Sequence, residues 1–325
     1  MGRYVLRRLF WAIVLFFVAT LITYVVFYLL GPDPSRFVNL GPGNVARAQV
    51  RADLHLNVPF WQQYWIFMWN LFGHQSLGRS FRYGIPVRDI LFGEAPVTGS
   101  LIAGALFLWL LIAIPIGIIS ALRPRSLFDR VGTVFALVGI SLSPVWLGLV
   151  LSYLIGFKLH LTPTSGYCNF FTLQSSVSCS GPGLWFSHLI LPWITVSVLF
   201  VALYARMIRS QVVEAEREEY VRTARAKGAS ERRVLTQHVL RNCMLPVVTM
   251  LGMDFTLTLG SAVFVERVFN LHGIGFQMVD SATHDDIPMV VGIVVLVTAV
   301  VIVANFIVDV AYGWLDPRIT ISEAA

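Results

Sequence analysis

Apolar residues run almost without interruption through six stretches of the chain, at 9–30, 97–122, 131–157, 184–205, 243–264 and 287–308. Each is long enough for the roughly 20 residues that carry a helix across about 30 Å of hydrocarbon. The pattern predicts an all-α, polytopic membrane protein with six transmembrane helices, forming a single domain over 1–325. Only Asp254 places a formal charge inside any of the six stretches. The first stretch is followed by "GPDPSR", with no small-residue cleavage site, and reads as a retained helix. No long internal repeat or low-complexity tract interrupts the series.

The polar intervals differ in kind. In the long interval 31–96, "FWQQYWIFMWNLF" holds seven aromatics in 13 residues. Two readings suit it: a helix lying in the membrane interface with its rings at headgroup depth, or a helix packed on neighbouring spans. The interval 158–183 is rich in turn residues and predicts irregular backbone. Interval 206–242 is different again. The segment 214–241 carries 12 of the chain's 42 acidic and basic side chains.

Composition agrees with the pattern. A mean hydropathy of +0.72 over 325 residues implies more apolar surface than one soluble domain can bury. Lysine and arginine set the orientation, because 16 of the 24 fall at the amino terminus, in "RPRSLFDR", in the charged segment and at Arg318. Six of the other eight lie in the one long interval, where the bias counts for little. Both termini and the charged segment are therefore expected to be cytoplasmic. The net charge of +6 follows topology and does not gather on one soluble face, which argues against a nucleic-acid partner. Cys168 and Cys179 share an outer interval that has no obvious core of its own, and the oxidising side predicts a disulfide there. Cys243, at the cytoplasmic edge of the fifth span, is expected to stay a thiol.

The charged segment reads as helix, turn, helix. Residues 218–227 lack proline and glycine, Gly228 is placed to end the first helix, and Ser230 can cap a second running to about Arg241. "LP" at Leu245 and Pro246 then opens the fifth span, where proline in a first turn removes no internal hydrogen bond. Tyr220, Ala224 and Gly228 fall at four-residue spacing and predict a ridge of small residues that another protein's backbone can approach. A loop that only sets topology needs basic residues alone, whereas this one also has five acidic residues.

"EYVRTARAKG" followed by "H", "RN" and "LP" resembles the cytoplasmic EAA loop of ATP-binding-cassette (ABC) importer permeases in the dipeptide and oligopeptide branch. "MGRYVLRRLFWAI" is similar to the start of that family's B-type subunit, and "LGRSFRYGIPV" to its motif ahead of the second span. "SLSPVWLGLVLSYLIGFKLHLTPTSGY", "VFVERVFNLHGIG" and "LDPRI" are similar to its later parts, so the resemblance covers nearly the whole chain. There are departures. Arg222, Thr223 and Ala224 stand where the general pattern has Glu, Ala, Ala, and His272 stands where proline is common. "GHQSLG" loosens a tighter motif, and 167–187 looks like an insertion.

The resemblance implies a type I importer fold in the bacterial inner membrane and a permease subunit that is not itself an enzyme. It implies a homologous C-type permease subunit, two cytosolic ATPase subunits and an extracytoplasmic solute-binding protein as partners, with peptide as cargo; relatives carrying nickel or other small solutes leave that alternative open. Nothing in the chain matches G-x-x-x-x-G-K-[ST], so ATP and Mg are expected on the ATPase partners, with no cofactor held by this chain. Glu219, Tyr220, Arg222, Ala224, Arg225, Ala226, Lys227, Gly228 and Ala229 would then couple to the ATPase.

Asp254, with Thr256 and Thr258 nearby, suits either a peptide amino group or a bond to a neighbouring span. Glu266 suits either a gate or an exposed helix-end carboxylate. His284, Asp285 and Asp286 are adjacent and cannot all converge on a metal from one regular element, so no metal site is expected. A secondary transporter would show inverted repeats and broken helices, which the pattern does not reveal. A membrane hydrolase would need H-E-x-x-H or G-x-S-x-G, which the chain lacks.

Overall fold

The computed structural model describes residues 2–30, 57–74, 76–170 and 179–315. Residues 31–56, the centre of the 167–187 insertion and the tail with Arg318 lie outside the described residues. In order, the chain forms α1 (Gly2–Tyr24), ending in the π-helical turn Val25–Leu29, then α2 (Phe60–Gly73), α3 (Val87–Leu122) and α4 (Leu127–Ser141). α5 (Pro144–Leu151) continues into wider turns over Ser152–Lys158, and α6 (Pro182–Ala215) and α7 (Glu219–Ala226) follow. Glu231–Arg233 and Val234–Val239 lead directly into α8 (Leu240–Val268), before α9 (Ile274–Thr283) and α10 (Ile287–Leu315). Among the described residues only isolated bridges, Arg79 with Pro86 and Asn169 with Ser180, depart from helix and loop.

Among the described residues five helices are long and apolar enough to cross a membrane, and a sixth crossing requires the pair α4 and α5, bent by 105°. The single helix expected over 131–157 is therefore corrected to two helices that meet at a sharp bend. Pro144 is the cause, since its ring disfavours helical backbone in the residue before it. Ser143 is extended at ψ 131°, Leu142 likewise at ψ 130°, and Pro144 opens the next helix at its first position.

The chain divides into two compact units, residues 1–97 with 272–306, and residues 98–271 with 307–325. In the first unit, Val87, Leu91, Ile274, Met289 and Ile293 form a buried core. α2 runs antiparallel to α1: Phe60 and Tyr64 meet Tyr24, while Phe72 meets Phe16 and Phe17 twelve residues later. The Tyr64 hydroxyl sits 3.0 Å from that of Thr20. Trp61, Trp65 and Trp69 remain exposed along the other face. The packed reading of the aromatic stretch thus holds for one face of the helix, and the other face stays exposed among the described residues. Asp286, buried at the start of α10, accepts from the Ser80 hydroxyl and from the Phe81 amide at 3.0 Å, fixing the "RSFRYG" turn.

In the second unit α6 is the central element. Within lipid, helix association rests on close packing and interhelical hydrogen bonds and not on apolar transfer. A Cβ on Gly104 of α3 would fall 2.0 Å from the Trp193 ring of α6, so only glycine permits this approach. Trp193 Nε1 donates to the Ser100 carbonyl at 3.0 Å, and Ser197 Oγ to that of Ala105 at 3.0 Å. Cys168 and Cys179 are joined by a disulfide, with Cα atoms 5.1 Å apart, and Cys243 is a buried free thiol. Closing a loop this short restricts the unfolded chain by about 3 kcal/mol in the chain-entropy model. In unreduced protein, alkylation followed by mass spectrometry is expected to label Cys243 alone after unfolding; label on both Cys168 and Cys179 would refute the bridge.

Candidate functional site

The charged segment folds as a short helix, a closed turn and the start of a long helix. α7 contains one apolar i, i+3 pair, Val221 and Ala224, and the structure buries both of them. They turn inward, where Val234 and Val239 are also buried. Ala224 is therefore not part of an exposed ridge, and the predicted Tyr220, Ala224, Gly228 face is corrected on this point. Tyr220, Arg222, Thr223, Ala226, Lys227 and Gly228 are exposed, while Ala229 is half-buried.

Gly228 adopts φ 80°. Its amide donates to the Arg225 carbonyl at 2.9 Å, and the Ala229 amide donates to the Ala224 carbonyl at 3.2 Å. These are the two bonds of a Schellman closure, which requires left-handed backbone where glycine stands. Arg225 crosses the turn, pairing Nε and Nη2 with the two carboxylate oxygens of Glu231 at 2.9 and 3.0 Å. That bond, reinforced by Glu216, pushes the guanidinium further above its ordinary value. Arg225 is thus a strap across the turn and at the same time an exposed residue of the segment.

Two details of the second helix differ from expectation. Ser230 occupies the position before the helix, but its side chain makes no capping bond. The helix does not stop near Arg241; it continues to Val268 with Pro246 inside α8. One proline removes one hydrogen bond, and the helix runs on through it. Glu219, the first residue of α7, is placed to complement the helix dipole.

At the base of this loop lies a charge pair that the spacing of the sequence did not reveal. Arg209, near the end of α6, donates through Nε to Asp129 Oδ1 at 2.6 Å and through Nη2 to Oδ2 at 2.9 Å. Asp129 also accepts from the Ser120 hydroxyl and from the Arg125 amide at 2.9 Å. The Ser126 hydroxyl accepts from the Asp129 amide at 3.2 Å, capping α4. The loop 123–126 is consequently locked to the helix that enters the charged segment. "SLFD" is a capping-box pattern and was the available signal. A cavity of about 330 Å3 lies alongside, lined by Ile116, Ser120, Thr133, Ala136, Arg206 and Arg209 among others.

The residues considered for the translocation path share one stripe of α8. Asp254, Thr258, Ala262 and Glu266, at four-residue spacing, are all buried, and Thr256 is exposed on another face. Thr258 Oγ1 donates to the Asp254 carbonyl at 2.7 Å. Glu266 is not an exposed helix-end carboxylate: Thr98 Oγ1 donates to its Oε1 at 2.6 Å. Among the described residues Asp254 Oδ2, the Tyr204 hydroxyl and Trp109 Nε1 are buried without a hydrogen-bond partner, and Asp254 interacts electrostatically with Tyr204. His284, Asp285 and Asp286 diverge: His284 turns to Asp280, Asp285 is exposed, and Asp286 holds Ser80. In contrast, His188 approaches Cys168 Sγ at 3.3 Å, a neighbour the sequence reading missed.

Residues 113–321 match the family described as binding-protein-dependent transport system inner membrane component, and residues 1–102 match its N-terminal region. The chain is similar to the dipeptide transport system permease protein DppB of Escherichia coli (strain K12), at 34% identity over 98% of this chain and 99% of that protein. It is also 35% identical to a putative peptide permease protein of Brucella suis biovar 1, over 99% of this chain and all of that one. A probable peptide ABC transporter permease protein of Sinorhizobium fredii is 32% identical over 98% of this chain and 99% of its own.

Proposed function

The chain belongs to the family of binding-protein-dependent transport system inner membrane components, and from that premise we propose that it imports peptides as one of two homologous permease subunits. Two cytosolic ATPases bind ATP and Mg, close against the segment 219–229, and drive the attached helices between inward-open and outward-open states. An extracytoplasmic binding protein delivers the peptide. Both termini face the cytoplasm. Peptide is favoured as cargo because relatives matched over nearly their whole length carry peptide or dipeptide in their names.

The observation that carries the coupling role is the closed turn of the charged segment. Val221 and Ala224 anchor α7 inward, the Arg225–Glu231 strap fixes its angle, and Tyr220, Arg222 and Lys227 stay on the surface. A push on this small rigid body passes into α6 and α8, which flank it in sequence and pack on one another. Charges on its rim give orientation and specificity to a partner more than raw affinity. Reconstitution in liposomes with the ATPases and binding protein tests this reading. Labelled peptide is expected to accumulate with ATP and to be indifferent to collapse of ion gradients; uptake that follows an ion gradient without ATP overturns it.

Asp254 adds a prediction about the path. A buried carboxylate oxygen without a partner is costly, while an amide of the same shape avoids the charge. Asp254→Asn is expected to keep thermal stability at or above the parent by up to about 1 kcal/mol, yet to lower peptide uptake several-fold. Loss of stability with unchanged uptake per folded molecule would instead make Asp254 a structural residue.

A further inference from the structure

Cys168, Cys179 and His188 offer two sulfurs and one ring nitrogen that all lie within 4.8 Å of one another. We propose that, once the Cys168–Cys179 disulfide is reduced, these three side chains form a site for a thiophilic divalent cation of the zinc class.

The tautomer of the imidazole is already set for that role. His188 Nδ1 lies 2.8 Å from the Leu184 carbonyl, which can only accept, so the proton belongs on Nδ1. Nε2 keeps its lone pair, and Cys168 Sγ lies 3.5 Å from Nε2 and 3.3 Å from Nδ1. Histidines that bind metals commonly donate their other ring N–H to a carbonyl in this way, which fixes the tautomer and the ring plane. Tetrahedral zinc has bonds of about 2.3 Å to sulfur and about 2.0 Å to nitrogen, which places its donors roughly 3.5–3.8 Å apart. On reduction the two sulfurs, bonded to one another until then, must part to about 3.8 Å, whereas the Cys168 sulfur already lies 3.3 and 3.5 Å from the two imidazole nitrogens.

The frame around the donors does not depend on the sulfur–sulfur bond. The Gly181 amide donates to the Asn169 carbonyl at 3.0 Å, and Asn169 bridges Ser180, so the residues next to both cysteines stay tied when the bond opens. The Gly166 amide donates to the Phe269 carbonyl at 3.0 Å, holding the Cys168 side of the loop as well. His188 sits in the second turn of α6, and Cys168 is almost fully buried. Two soft thiolates and an imidazole select zinc-like ions over magnesium or calcium, and three protein ligands leave a fourth position for water or another ligand.

The steps balance. A dithiol reductant supplies two electrons and two protons to the disulfide, giving two thiols and leaving as its own disulfide. The cation then binds both sulfurs and releases those two protons to solvent. The outer loop consequently has two alternative closures, covalent under oxidation and metal-bound under reduction.

Cobalt(II) reports on such a site through sulfur-to-metal charge-transfer and tetrahedral d–d absorption. The full chain carrying Cys243→Ser, so that only the outer pair contributes thiols, is reduced with a dithiol in lipid nanodiscs, desalted without oxygen and titrated with Co2+. Both absorption features are expected, with displacement by Zn2+, and the oxidised protein should stay silent. His188→Gln should weaken binding by at least about tenfold, and Zn2+ should raise the melting temperature of the reduced protein only. No charge-transfer band, equal affinity with glutamine at 188, or equal binding by oxidised protein each overturns the proposal.

Discussion

Gly228→Trp is expected to abolish ATP-coupled uptake while the protein still inserts and folds, and Gly228→Asn to retain most of it. The difference comes from the backbone. At φ 80° a side chain bearing a Cβ pays roughly 1–2 kcal/mol, enough to shift a local equilibrium about tenfold. Asparagine tolerates this region better than other residues with side chains. Nothing lies within 4 Å of a Cβ built at Gly228, so a larger residue disturbs no internal packing. Tryptophan therefore acts on the turn and on whatever docks against it, leaving the membrane helices intact. ATP hydrolysis and peptide uptake, measured together on the reconstituted complex, check this. Full coupling in the tryptophan variant would remove the turn from the mechanism.

Arg209→Met produces the largest expected loss of stability. It leaves the Asp129 carboxylate buried without its guanidinium, and breaking buried pairs costs about 3–5 kcal/mol. The Arg209 side chain is 36% exposed, so screening lowers this to about 2 kcal/mol. Asp129→Asn should cost less, because a partly exposed arginine can be rehydrated. The double variant should recover part of the deficit. Unfolding midpoints in nanodiscs give the cycle, and additive effects within about 0.5 kcal/mol would show that the two side chains do not couple. Uptake should fall with Arg209→Met even at temperatures where the protein remains folded, since the base of the charged segment loses its tie to loop 123–126.

How much of this was legible depended on whether the signal was local. Apolar run length marked the membrane helices, and Gly228 announced its turn, because both depend on neighbouring residues alone. The break before α5 was also written locally, in Ser143 and Pro144, but a continuous apolar run concealed it. Long-range partners left no comparable trace. Asp129 and Arg209 stand 80 positions apart and Asp286 and Ser80 206 apart, and only folding brings them together. Ala224 showed the opposite problem: its spacing from Tyr220 and Gly228 suggested an outward ridge, but the apolar Val221 beside it decided which face turned inward. His188 sits in an apolar helix where a lone histidine carries little information until Cys168 is seen against it.

Contact between the charged segment and a cytosolic ATPase is best measured by cross-linking from one surface position. In the assembled transporter, Arg222→Cys should cross-link to an ATPase subunit, with a yield that changes when ATP is added, whereas Arg130→Cys in the first turn of α4 should give much less. Cross-linking should stop uptake, and cleavage of the linker should restore it. Absence of any ATPase product from position 222, with efficient products from position 130, would contradict the assignment of 219–229 as the joint.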